Sequence, residues 1–377
     1  MKFLLFTGIL LANLFFFSGK EEHEIRYMNN PSVEGDVAKV VPVYTDFQDT
    51  IVGDTLYLEF TSKGLPRSAR RKISTGVCID GQCRKLQMSV YWDITGRYLG
   101  FELPPGEFLS KTEHEPFNDK EYKQLHTLLA DPYSPLANYT LEELVPPTKQ
   151  ENKAVDAFSS ATVKEVLNSV VEGAVYTSYT LWHIVYGNSQ KEVKKLGLHY
   201  FSEELAMHIL ENQDSDSRIW ALNNLQTLNE WSDSLQQKVL GLIGNQNFYL
   251  SERAINSFNS ELLNSADFQR QIYSVFERSE YSVKRLIITK LSKATVLSDE
   301  LKDRLAAGLP GYNGPLAQNV LDLFIQYRVD DVPTCLQISE LLADKNKFLA
   351  RKAFNYLDQL SIEDGKIKKR MKAYKQD

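Results

Sequence analysis

The chain has 377 residues, 43% of them apolar and 24% charged, enough to bury a sizeable core and to fill about two or three domains. Its net charge of −6 gives no electrostatic reason to expect nucleic acid as a partner. The basic run from Lys366 to Lys372 opens a tail, residues 366–377, and reads as the solvated end of a C-terminal helix.

Residues 1–19 read as a signal peptide or N-terminal anchor. Lys2 supplies a positive start, and the stretch from Phe3 to Phe17 is nearly all apolar, of signal-peptide length and short for a membrane span. Phe17-Ser18-Gly19 makes a poor cleavage site, so an anchor that stays attached to the membrane is the alternative. The chain is therefore expected to be extracytoplasmic, either periplasmic or membrane-anchored.

Cysteine usage agrees with export. Cys78 and Cys83 flank Ile79-Asp80-Gly81-Gln82, and Asp-Gly is a two-residue hairpin signal. In such a hairpin Cys78 and Cys83 form a close, non-hydrogen-bonded pair that suits a cross-strand disulfide, worth roughly 2 kcal/mol. A zinc pair is the rival reading, but two more ligands at sensible spacing are missing. Cys335 sits in an apolar helical stretch and reads as a buried, inert thiol.

From about residue 40 to 110 the pattern is that of strands with one buried face. Thr55 to Phe60 alternates, and so does Lys85 to Asp93, with Leu86, Met88, Val90 and Trp92 on one side. Ile94-Thr95-Gly96-Arg97 turns the chain, and Leu99, Phe101 and Leu103 carry the return strand. Asn118 is placed to cap a helix through Tyr122, Leu125 and Leu129 that ends at Asp131-Pro132, and a short helix is expected around Leu141 to Leu144. A further helix is expected from Thr162, with Val163, Val166, Leu167, Val170, Val171, Ala174 and Val175 on one face and Gly173 as a weak point. Beyond about residue 195 everything reads as helix. Segments beginning near Asp216, Ser251, Ser282, Leu316 and Leu349 resemble one another at a spacing of about 33 residues, each preceded by another amphipathic helix.

The fold expected is an α+β N-terminal domain with an antiparallel sheet, residues 40–190, followed by an all-α solenoid, residues 195–365. The repeats resemble the HEAT type, although no single repeat carries a diagnostic motif.

Asp156-Ala157-Phe158-Ser159-Ser160-Ala161-Thr162 resembles the flavinylation motif of the FMN-binding domain family, found in the C subunit of sodium-pumping quinone reductase and the G subunit of the Rnf complex. The family pattern runs Asp, two variable residues, Ser or Thr, Gly, Ala, Thr. The chain matches at Asp156, Ser159, Ala161 and Thr162 and departs at Ser160, where the family usually has Gly. The resemblance implies FMN joined by a flavin transferase through a phosphoester at Thr162. It also implies a sheet before the motif and a helix after it. An anion there would meet the free N–H groups and dipole of a helix N-terminus. Trp92, Tyr98, Phe158, Tyr176, Tyr179 and Trp182 are candidates for the bed of the flavin ring, and each also reads as ordinary packing. The second reading of Thr162 needs no cofactor. Thr162-Val163-Lys164-Glu165 is a capping box, with Thr162 as N-cap and Glu165 at the third helical position.

Other chemistry is thinly represented. The six histidines show no metal-ligand spacing, Glu113-His114-Glu115 reads as a polar turn, and His183 reads as a satisfied core or interface residue. There is no Walker loop, dinucleotide fingerprint or serine-nucleophile elbow. Two functions follow as expectations. One is an exported FMN protein for extracytoplasmic electron transfer or redox assembly, an electron carrier more than a stand-alone enzyme. The other is a non-catalytic scaffold that binds a protein partner on its repeats, with Thr162 only a helix N-cap.

Overall fold

The computed structural model describes residues 25–49, 51–77, 84–111, 114–145, 166–244, 247–360 and 362–375. Six strands form one antiparallel sheet: β1 Ile25–Met28, β2 Val37–Tyr44, β3 Thr55–Thr61, β4 Pro66–Thr75, β5 Leu86–Asp93 and β6 Tyr98–Leu103. Strands β2 to β6 run as a meander, and β1 closes the far edge beside β6. Alternation assigns the faces. Leu56 and Leu58 of β3, Ala69 and Ile73 of β4, Met88, Val90 and Trp92 of β5, and Phe101 of β6 meet in register and are buried. The opposite face carries polar ladders instead. Glu59 accepts from Ser68 and Arg70, and Tyr91 donates to Glu102. At the β2 edge, Lys39, Pro42 and a register shift between Val37 and Lys39 weaken further strand pairing.

The sheet begins earlier and holds more strands than the alternation at 55–103 indicates, because β1, β2 and β4 join it. Helix α1, Asp119–Ala130, packs on β6. Its N-terminus is the expected capping box, with Asn118 accepting from Lys120 and Glu121 N–H and Glu121 accepting from the Asn118 N–H. Helix α2 is Leu141–Leu144. Where a helix through Ala174 and Val175 was expected, residues 166–169 are helical, the chain turns at Gly173 (φ +72), and a new helix, α3, runs Val175–Val185. Glycine adopts that positive φ without strain, so the apolar spacing marks burial here but not helix continuity.

Helix α4, Asn188–His199, joins the sheet to an all-α stack. The stack continues as α5 Glu203–Glu211, α6 Ser215–Asn224, α7 Asp233–Gly241, α8 Phe248–Ser257, the short α9 Ser260–Asn264, α10 Ala266–Arg278, α11 Tyr281–Leu291, α12 Asp299–Gly308, α13 Gly314–Gln326, α14 Val332–Glu340, α15 Lys347–Asp358 and α16 Gly365–Tyr374. The helices form two layers. Helices α6, α8, α11, α13 and α15 lie side by side and begin at Ser215, Phe248, Tyr281, Gly314 and Lys347, each 33 residues after the last. These five make the second layer; the first layer, α7, α10, α12, α14 and α16, keeps the same 33-residue step from Asp233 to Gly365.

The period has a local chemical cause. Ser232, Ser265, Ser298, Asp331 and Asp364 each cap one first-layer helix by accepting the N–H of the third helical residue. Each such cap contributes about 1 kcal/mol. The capped residues, Leu235, Phe268, Leu301, Thr334 and Ile367, are all buried, so the cap fixes which face turns inward. Residues 365–374 thus form the last helix of this layer, packed on α14 through Ile367.

Sheet and stack share one apolar core. At their junction the β5–β6 turn abuts α4 so closely that a Cβ on Gly197 would lie 2.3 Å from the Ile94 carbonyl oxygen. Gln190 donates to the Gly96 carbonyl at 2.8 Å, and the buried Asp93 carboxylate accepts from the Ser32 and Thr95 N–H groups at 2.5 and 2.9 Å. Among the described residues no helix is long and apolar enough to cross a membrane.

Candidate functional site

A cleft of about 550 Å³ opens between the end of the sheet and α3. Its floor is Ser74, Thr75 and Gly76 at the end of β4, with Lys85 just before β5. One wall is α3, which presents Tyr176, Tyr179, Thr180 and His183 on successive turns. The other wall is Asp49 and Ile51 from the loop between β2 and β3, and Asn188 at the start of α4 closes the end.

Each wall is held by specific bonds. The Thr177 hydroxyl donates to the Val77 carbonyl at 3.0 Å and ties the first turn of α3 to the end of β4. Arg71, which is 1% exposed, pins the loop. Its guanidinium donates to both Asp49 oxygens at 2.7 and 3.0 Å, to the Gly53 and Ile51 carbonyls at 2.7 and 3.2 Å, and to the Ser189 hydroxyl at 2.8 Å. It also lies 3.7 Å from the Phe47 ring centroid. Burial works to raise the Asp49 pKa, but the hydrogen bonds and charge of Arg71 and the Ile51 N–H outweigh it and hold the carboxyl below its ordinary value.

On the α3 wall, the rings of Tyr179 and His183 face each other at 4.1 Å between centroids. His183 Nδ1 lies 2.9 Å from the Tyr179 carbonyl oxygen, so Nδ1 carries the proton, and in the neutral ring Nε2 is left as an acceptor. Burial raises the Tyr179 pKa, and the nearby charges of Glu142 and Glu143 add to it, so the phenol stays protonated. The site therefore offers an aromatic wall, several hydroxyls, an imidazole acceptor and one lysine ammonium. Such a set orients a flat, polar-edged ligand, and the volume lies in the range of small-molecule sites.

The residues expected from sequence divide into three groups. Tyr176 and Tyr179 line the cleft. Trp92, Tyr98 and Trp182 do not, and serve the core. The Trp92 indole donates to the Val185 carbonyl at 2.9 Å, the Trp182 indole to the Asp131 carbonyl at 3.0 Å, and the Tyr98 hydroxyl sits 3.1 Å from His126 Nδ1. All three are buried. Asp156, Phe158, Ser159, Ser160, Ala161 and Thr162 lie outside the described residues, as do Cys78, Cys83 and residues 1–19. His183, expected as a satisfied core or interface residue, has one nitrogen satisfied and also lines the cleft. Asp49, Lys85, Thr180 and Asn188 were not singled out from sequence. Lys85 was read only as the start of the alternating strand that ends at Asp93.

Elsewhere, Cys335 is fully buried, and its thiol pKa is pushed up to about 12 by burial and then by Asp331 and Asp330, which matches an inert role. Among the described residues no group of three or more His, Cys, Asp or Glu is arranged to hold a metal ion. No family model matches the chain, and no curated protein matches it. Fold and site define an α+β head with a six-stranded antiparallel sheet, continued by an all-α stack, with an aromatic-walled cleft at the end of the sheet.

Proposed function

We propose that the chain is an exported electron carrier that bears FMN on Thr162 and seats the flavin ring in the cleft against α3. The cleft carries this reading: it has about 550 Å³ of space beside Tyr176, Tyr179 and His183, and both tyrosines belong to the bed expected from sequence. FMN, when bound, supplies one- and two-electron transfer. The chain's own residues do the rest. Tyr176 and Tyr179 cover a ring face and exclude water, while the hydroxyls of Ser74, Thr75 and Thr180 satisfy polar ring edges. His183 Nε2 accepts a hydrogen bond at the cleft wall, and the Lys85 ammonium offsets negative charge near it.

The test uses the full chain, exported and co-expressed with a flavin transferase, then denatured and weighed intact. An FMN-sized mass increment that survives denaturation, and that Thr162→Ala removes, is the expected result. An unmodified mass, with the transferase shown to be active on a control substrate, overturns the proposal and leaves Thr162 as a helix N-cap. An increment retained in Thr162→Ala moves the attachment elsewhere.

A further inference from the structure

The two helix layers handle charge differently. In the first layer, acids at the helix N-termini are paired with cations from the same or the next repeat. Arg270 meets Asp267 and Glu300 at 3.0 and 2.8 Å, Arg304 meets Glu300 at 2.9 Å, and Lys302 meets Asp299 at 2.7 Å. At the C-terminus of α14, Glu340 is paired with Arg370 of the next repeat at 3.3 Å. In the second layer, α8, α11, α13 and α15 have no acid in the first turn. These helices carry Arg253, Lys284, Arg285, Arg351 and Lys352 against Glu252, Asp322 and Asp358, and Asp358 is already paired with Lys375, the C-cap of α16, at 3.6 Å. Among the described residues none of these cations forms an ion pair. Several rest on aromatic rings instead. Lys284 lies 5.6 Å from the Phe276 centroid, Arg285 lies 5.8 Å from Tyr281, and Lys352 lies 5.3 Å from Phe348.

Exposed aromatic side chains line the same layer at its N-terminal ends. Tyr249 is 69% exposed, Phe348 48% and Tyr281 37%. A ring from one repeat can reach the next, since a Cβ on Gly314 would come within 3.0 Å of the Phe348 ring. Offsets of three and four residues fall on one helical face, so Tyr249 aligns with Arg253, Tyr281 with Lys284 and Arg285, and Phe348 with Arg351 and Lys352. The 33-residue step sets Arg285 in register with Arg351, and Arg253 and Tyr249 of α8 in register with Lys352 and Phe348 of α15.

We infer that this layer is a docking surface for an extended, acidic segment of a partner protein, with apolar side chains between its carboxylates. Charge complementarity sets the sign, because the cations lack carboxylate partners within the chain. Neighbouring helices lie about 8–10 Å apart, which matches every third residue of an extended strand at about 3.3 Å per residue. Arginine forks suit carboxylates, and the exposed rings offer apolar seats between them. The break at α13, where Gln318 and Asn319 replace cations, falls in mid-surface and offers amides rather than charge. The inference does not rest on the flavin reading.

The test measures binding of a fluorescein-labelled oligoglutamate of about twelve residues, long enough to cross four helices, to the full chain at low salt. Arg253→Glu, Arg285→Glu and Arg351→Glu are combined in one variant. A second variant with Lys63→Glu, Lys120→Glu and Lys123→Glu, all exposed on the sheet domain, makes the same change in net charge. The surface predicts salt-sensitive binding that weakens at least about tenfold in the first variant and little in the second. Equal loss in both, or no binding to the unaltered chain, overturns it. So does tighter binding of a single-stranded oligonucleotide or of anionic vesicles than of the peptide. A dimer that the first variant dissolves would make a second copy the occupant and overturn the partner assignment. Circular dichroism confirms that both variants fold.

Discussion

The sheet domain and the helix stack reach stability by different routes. The sheet is held by one-of-a-kind polar pins. Arg71 gathers the β2–β3 loop and Ser189, Asp93 gathers two backbone N–H groups, and Trp92 reaches the end of α3. The stack repeats one solution every 33 residues, an N-cap followed by a buried apolar residue, with ion pairs laced between repeats. Cost should therefore concentrate at single residues in the sheet domain and spread over many in the stack.

The sharpest way to break this contrast is Arg71→Met. It leaves Asp49, the Gly53 and Ile51 carbonyls and Ser189 without their donor, and an uncompensated carboxylate half out of water. Only Arg71 is buried and water can reach Asp49, so the cost is that of the lost charge-assisted hydrogen bonds and the unpaired acceptors, about 2–3 kcal/mol. Urea unfolding should show a loss of that size. Ser298→Ala, which removes one cap in the stack, should cost only about 1 kcal/mol. Comparable losses would mean that the stack is no more redundant than the sheet.

Legibility followed the same division. Strands β3, β5 and β6, the Asn118 capping box and the 33-residue step could be read because each repeats a standard local pattern. Strand β4 could not. Arg71 points into the core between Arg70 and Lys72, so the alternation of Pro66–Thr75 is masked by three consecutive cations. Strand β2 is an edge with little burial and a proline, and it shows no clean alternation. The cleft was half legible. Tyr176 and Tyr179 belong to a helix whose aromatic density is plain in the sequence, whereas Asp49 and Ile51 arrive only through the Arg71 pin. Trp92, Tyr98 and Trp182 show the limit of composition, since aromatic residues near a site are just as able to fill a core.

A second test concerns thiols. Strands β4 and β5 pair as far as Thr75 opposite Leu86, and Cys78 and Cys83 lie outside the described residues. The disulfide expected from sequence would join Cys78 and Cys83, while Cys335 in the stack is a buried free thiol. Alkylation of exported, unfolded protein without reductant should label Cys335 and leave the other two blocked. Cys78→Ser with Cys83→Ser should then cost roughly 2 kcal/mol. Three labelled thiols would reject the staple.

An effect as small as the loss of one cap is expected in the stack, at Lys290 of α11. The residue is 7% exposed, and its ammonium donates to the Asn256 carbonyl of α8 at 2.8 Å. Burial, and then the charge of Lys293, lower its pKa to about 8. The unfolded chain holds that proton with a pKa of about 10.4, so the folded state binds it less well. The neutral amine's contribution is full above the unfolded value, is lost as pH falls from about 10 to about 8, and leaves a constant penalty below that. Solvent reaching the ammonium reduces this penalty to roughly 2 kcal/mol. Lys290→Met keeps the stem's volume and removes the charge, and the Asn256 carbonyl still accepts from Gln226. Near pH 7 the variant should therefore be more stable than the unaltered chain by about 1 kcal/mol. Near pH 10 the advantage should vanish or reverse, because the amine is then neutral and still donates to Asn256. Urea midpoints at the two pH values decide it. A difference that does not change with pH would mean that packing, not the buried charge, sets the effect, and that the stack tolerates a lone polar pin as poorly as the sheet does.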